Sequence, residues 1–121
     1  MSQPIKRDLE ERTSKFSESV IGMCQSVKPD LINTPIVTQL LRSATSIGAN
    51  YAEANNASSK KDFANKIFIC KKEAQETKYW LRMLSKATNL ESTSEKLRTL
   101  WKECQELTMI FQKITNSLRS E

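Results

Sequence analysis

Eight of the chain's 19 lysines and arginines fall between residues 59 and 88, with only three acids among them. That segment's +5 equals the net charge of the whole 121-residue chain, so everything outside it sums to zero. At helical spacing, Lys60, Lys71, Lys78 and Arg82 share one edge, and Lys72 lies beside them. A basic edge of this kind can neutralise the phosphates of RNA or DNA; its bland counterpart is a solvated helix face. The other edge carries Asp62, Ile69, Glu73, Glu76 and Trp80. Glu73 and Glu76 come closest to paired carboxylates, with Asn50 and Glu53 upstream. Di-metal sites in helical bundles draw on Glu-x-x-His pairs, and the chain has no histidine. The same absence removes Ser-His and Cys-His nucleophiles. We therefore expect no enzyme, no catalytic residue, no metal ligand and no cofactor. Glu73 and Glu76 are expected to pair with a lysine or arginine from a neighbouring helix or chain.

Cys24, Cys70 and Cys104 are odd in number and lack the CxxC spacing of a zinc or redox site. Each falls on an apolar helical stripe, as a small buried residue in a reducing compartment would. The first residues, MSQPIKRDLEERTSKF, contain no apolar signal core, and no apolar run is long enough for a bilayer. The expectation is a cytoplasmic protein with no membrane partner. Hydrophobic residues make up 38% and charged residues 27%, enough for one domain with a modest core. Two glycines and three prolines leave little material for hairpins, which argues against an all-β fold.

Helix punctuation divides the chain into four elements, at about 4–27, 35–55, 60–88 and 93–119. Pro4 opens the first and Pro29 closes it; Thr34-Pro35 reads as an N-cap and first helical residue. Ser59 through Asp62 resembles a capping box, and Ser92-Thr93-Ser94-Glu95 is one. The first stripe runs Ile5, Leu9, Phe16, Val20, Met23 and Val27, with Arg12 in its polar gap. In the second helix Ala44, Gly48 and Ala52 lie four apart, predicting a face that another helix approaches closely. Phe63, Ile67, Cys70, Ala74, Thr77, Leu81 and Leu84 form the third stripe. The fourth is Leu97, Leu100, Cys104, Leu107, Phe111, Ile114 and Leu118. These seven-residue repeats with short connections predict an all-α, antiparallel up-down-up-down four-helix bundle in a single domain.

Apolar side chains are left over outside those stripes. Phe68, Tyr79 and Met83 lie opposite the third stripe; Trp80 with Ile69, and Trp101 with Ile110, lie beside the cores. Surplus apolar residues of this kind mark subunit contacts, so Phe68, Ile69, Glu73, Glu76, Trp80, Met83 and Trp101 are assigned to an oligomer interface. The alternative for the aromatics is stacking on unpaired bases.

Residues 40–54, LLRSATSIGANYAEA, together with Asp62-Phe63, Lys66 and the run 72–81, KEAQETKYWL, resemble the 23S rRNA intervening-sequence protein family. The resemblance implies a bacterial four-helix bundle that assembles as a homo-oligomeric ring, commonly a pentamer. A similar fold is implied in the accessory variability protein of diversity-generating retroelements, a basic pentamer that binds nucleic acid and a reverse transcriptase. On this analogy the chain is expected to be a non-enzymatic RNA- or DNA-binding oligomer using Lys60, Lys71, Lys72, Lys78 and Arg82. The alternative is an adaptor ring that docks a protein partner, such as a reverse transcriptase, without binding nucleic acid.

Overall fold

The computed structural model describes residues 3–89 and 91–120, with side chains from residue 8 onward. The expected core contact of Ile5 and the opening role of Pro4 therefore rest on side chains outside the described set. Four helices follow one another: α1 (Gln3–Gln25), α2 (Asn33–Asn55), α3 (Lys60–Thr88) and α4 (Glu91–Arg119). Cross-helix bonds give the directions. Ser17 donates to the Ala44 carbonyl and Asn55 to Glu10, so numbering falls along α2 as it rises along α1. The same inversion links α2 to α3, where Cys70 meets the Ile47 carbonyl and Thr77 meets Ser43, and α3 to α4, where Lys71 meets Gln112 and Lys78 meets Gln105. Each helix packs on its two ring neighbours, α3 most extensively and α1 least against α4. The bundle is antiparallel.

The third stripe is buried as read from Ile67 to Leu84, with Phe63 half-buried at its start. The fourth is buried as read from Leu97 to Phe111, but Thr108 is buried beside it, and past Phe111 Thr115 is buried while Ile114 and Leu118 are only half-covered. A straight helix slips by about 20° per heptad against a seven-residue repeat, and α4 is long enough for the slip to show. In α1 the polar gap is filled by Thr13, which is 1% exposed, and not by Arg12. Thr13 can enter because its hydroxyl donates to the Glu10 carbonyl at 2.9 Å, whereas Arg12 turns to α4 and grips Glu103 at 2.7 and 2.8 Å.

Two helix starts differ from expectation. α2 begins at Asn33, and the cap comes from Asp30, whose Oδ1 accepts from the amides of Ile32 and Asn33 at 2.9 and 2.7 Å. Thr34 instead lies inside the first turn, where its hydroxyl and its amide both donate to the Asp30 carbonyl, and Pro35 follows with no N–H of its own to add to the ladder. α4 already begins at Glu91, which places Ser92 in its first turn. Ser59 caps α3 as expected, accepting from the Asp62 amide at 3.0 Å. Asn89 ends α3 in the left-handed region, φ 50°, a conformation that asparagine tolerates.

The small face of α2 is real only in part. Ala44 is buried and Gly48 lies against Thr13, but Ala52 is exposed. Among the described residues, no helix is long and apolar enough to cross a membrane.

Candidate functional site

α3 presents its two edges to different neighbours. The edge carrying Glu73, Glu76 and Trp80 faces α2, where Arg42 pairs with Glu73 at 3.4 Å and with Glu76. Trp80 donates its indole Nε1–H to Glu76 at 3.1 Å and packs on the core from its half-buried position. The Trp80 bond, followed by the Arg42 guanidinium, holds the Glu76 carboxyl below its ordinary value. The expected basic partner of the two glutamates is thus Arg42 of the same chain. Glu53 is occupied separately, by Lys66 at 2.6 Å, and Asn50 donates to the Ser46 carbonyl, so these groups do not converge. Among the described residues no group of three acids or cysteines could hold a metal ion. Burial pushes the Cys70 and Cys104 thiols up to about 12 and the half-buried Cys24 up to about 11, which leaves all three protonated and inert.

The basic edge faces α4. Lys71 donates to Gln112 at 3.1 Å and lies 5.2 Å from the Phe68 ring centre. Lys78 donates to Gln105 and lies 5.5 Å from the Trp101 ring centre. Both lysines are half-buried in the seam, with their ammonium groups held by α4, so neither the phosphate-binding edge nor its solvated counterpart has these two side chains standing free in solvent. Arg82 continues the edge and is exposed. Lys72 is exposed on the outer face. Lys60 lies at the first residue of α3, about 33 Å along the axis from Arg82, so one short ligand cannot bridge them.

Following the seam toward the end of α3 leads to a groove of about 580 Å³. Its walls carry Arg82 and Lys86 from α3, and Arg98 and Lys102 from α4, around Trp101. All four cations are exposed, and among the described residues no carboxylate lines the groove. Two acids of α4 turn the other way: Glu103 and Glu106 both meet Arg12 on α1. Around Trp101, α4 thus turns Glu103 and Glu106 toward α1 and Arg98 and Lys102 toward α3, while nearer its start Lys96 lies with Glu95 on the α1 side. Lys86, Arg98 and Lys102 were not among the expected phosphate contacts. Arg98 and Lys102 lie one turn apart and flank Trp101. An antiparallel α3–α4 pairing through a short connection puts them across from Arg82 and Lys86, so the signal was present but spread over two helices.

Of the residues assigned to a subunit interface, Phe68 and Trp101 are exposed, Ile69 and Met83 are half-buried, and Glu73, Glu76 and Trp80 form the internal cluster with Arg42. Tyr79 and Met109 add exposed apolar surface on α3 and α4, and Leu31 is 90% exposed in the α1–α2 connection.

Comparison with known proteins places this geometry. Residues 7–113 match the family model described as 23S rRNA-intervening sequence protein. A solved structure of a protein of unknown function from the S23 ribosomal protein family of Bacteroides thetaiotaomicron is 31% identical. The match covers 88% of this chain and 96% of that one, with a TM-score of 0.74. No curated protein matches the chain.

Proposed function

We propose, from the premise that the chain belongs to the 23S rRNA-intervening sequence protein family, that it is a non-enzymatic homo-oligomer binding the backbone of RNA or DNA. The observation that carries this reading is the α3–α4 groove, where Arg82, Lys86, Arg98 and Lys102 converge without a carboxylate among them. Four cations on facing walls, with no carboxylate of the described residues lining the groove between them, repel one another, and a polyanion relieves that repulsion while releasing its own counterions. Lys71 and Lys78 extend the positive seam along α3. One protomer offers few phosphate contacts; several copies add them by avidity. The exposed Phe68, Tyr79 and Met109 side chains support self-association.

Filter binding of RNA and DNA at two salt concentrations tests the reading. Neutralising four phosphates predicts a log–log salt slope of about −2.8 for a single strand and about −3.6 for a duplex, per protomer engaged. The Arg82→Gln, Lys86→Gln, Arg98→Gln, Lys102→Gln variant should fold normally, bind weakly and lose most of that slope. Unchanged binding by this variant would remove the groove as the site. Light scattering should return a mass several times 13.8 kDa, and a monomer at micromolar concentration would remove the oligomer. If the wild type binds no nucleic acid even at low salt, the adaptor reading replaces this one.

A further inference from the structure

We propose that the α3–α4 groove takes an unpaired strand, with one base stacked on Trp101 and the flanking phosphates on Arg82, Lys86, Arg98 and Lys102. This deepens the reading above and rests on it. Its starting point is Trp101, a large aromatic side chain left 38% exposed inside the groove and not on a convex surface. Lys78 stands 5.5 Å from its ring centre, which holds the indole in place from the seam side. The floor beside it is apolar, formed by the buried Leu81 and Leu97.

That combination narrows the occupant. An exposed indole invites apolar contact, but a second copy of this groove would bring four more cations against the first four. An ordinary apolar protein surface would strip water from those cations without replacing it. The occupant that satisfies both is flat and apolar in one part and anionic in the next, which describes a nucleotide. Duplex bases are stacked and paired inside a cylinder, and only their phosphates could reach the groove rim. An unpaired base can leave its strand and enter. The dimensions agree. Within each wall the cations are one helical turn apart, about 6 Å along the axis, a step that consecutive phosphates of an extended strand can follow. The groove volume of about 580 Å³ falls within the range of about 300–1,000 Å³ typical of small-ligand sites. The shared chemistry is a base next to its phosphates, and RNA and DNA both supply it.

The test uses fluorescence anisotropy with a short labelled oligo-dT, its oligo-U counterpart and a hairpin duplex of matched length whose loop is abasic, so that it offers no unpaired base. Trp101→Leu should weaken both single strands, or whichever the protein binds, by about 5- to 150-fold, the measured range for one base–aromatic stack. It should leave hairpin affinity unchanged, and Trp101→Phe should recover most of the loss. As a second readout that does not depend on the leucine variant folding, Trp80→Phe leaves Trp101 as the lone indole, and its fluorescence should change on adding oligo-dT or oligo-U. Strand binding by Trp101→Leu equal to wild type would overturn the stacking while leaving the backbone-binding function intact. So would an equal loss of strand and hairpin binding, or a silent indole at saturating strand. Undiminished binding of every probe by the fourfold glutamine variant would instead remove the groove as the site and the stacking with it, and a wild type that binds no probe even at low salt would overturn the function itself. A difference between oligo-dT and oligo-U identifies which nucleic acid the groove prefers.

Discussion

The Ser43–Thr77 pair joins α2 to α3 at the most extensive packing in the bundle, and both residues are fully buried. Their hydroxyls are 2.9 Å apart; Thr77 also lies 2.7 Å from the Glu73 carbonyl, and Ser43 lies 3.3 Å from the Leu40 carbonyl. Each hydroxyl therefore retains a carbonyl when the other is removed. Thr77→Val keeps the shape and removes two hydrogen bonds, and should cost about 1–2 kcal/mol. Ser43→Ala removes the shared bond and the long Leu40 contact, and should cost about 1 kcal/mol. The shared bond is lost only once in the double variant, so the pair should show a coupling of about 0.5–1.5 kcal/mol. Urea melts followed by circular dichroism measure this, at one fixed protomer concentration because self-association would shift the midpoint. The slope of each melt should stay constant across the four proteins. Costs that add to within about 0.3–0.5 kcal/mol would show that the two hydroxyls do not interact across the helices. A stabilising Thr77→Val would show that burying them carries a net penalty.

Phe111 is fully buried with its ring centre 6.1 Å from that of Tyr51, so Phe111→Ala should cost about 3–5 kcal/mol in the same melts; a neutral result would displace the α4 register. Gly48→Ala should stabilise the protein by up to about 1 kcal/mol through helix propensity. An added Cβ would meet Thr13 at ordinary contact distances of 3.4 Å and beyond, and a destabilising result would show that α1 and α2 need the bare backbone. Arg42→Gln should cost no more than about 1 kcal/mol at neutral pH, since the guanidinium and Glu76 are well exposed. The Glu76 carboxyl titrates below its ordinary 4.5, so the stabilisation from its ion pair is present above that pH and is lost as pH falls through the lower folded value. The gap between wild type and Arg42→Gln should accordingly close in acid melts, and a gap that widens in acid would refute the pairing.

Helix number, order and direction were legible in the sequence, as was most of the core, because a helix repeats its inward face every three or four residues whatever surrounds it. Ile67, Cys70, Ala74, Thr77, Leu81 and Leu84 could be listed from spacing alone. So could the Ser59 cap, which bonds an amide only three residues away. Local pattern failed where a better partner lay elsewhere: Thr13 displaced Arg12 from the α1 stripe because Glu103 on α4 holds the guanidinium, and Asp30 displaced Thr34 as the α2 cap. The candidate site shows the same division. The excess of lysine in residues 59–88 is visible as composition, and the segregation of base from acid across α3 follows from its period. Which edge meets α2 and which meets α4 does not follow, because a four-helix bundle of either hand buries the same stripes. Only the tertiary arrangement gave Glu73 and Glu76 to Arg42, drew Lys71 and Lys78 into contact with glutamines, and set Arg98, Trp101 and Lys102 across from Arg82 and Lys86. Those contacts join residues up to 41 positions apart, and the energy that selects them comes from packing between helices, which no single helical period encodes.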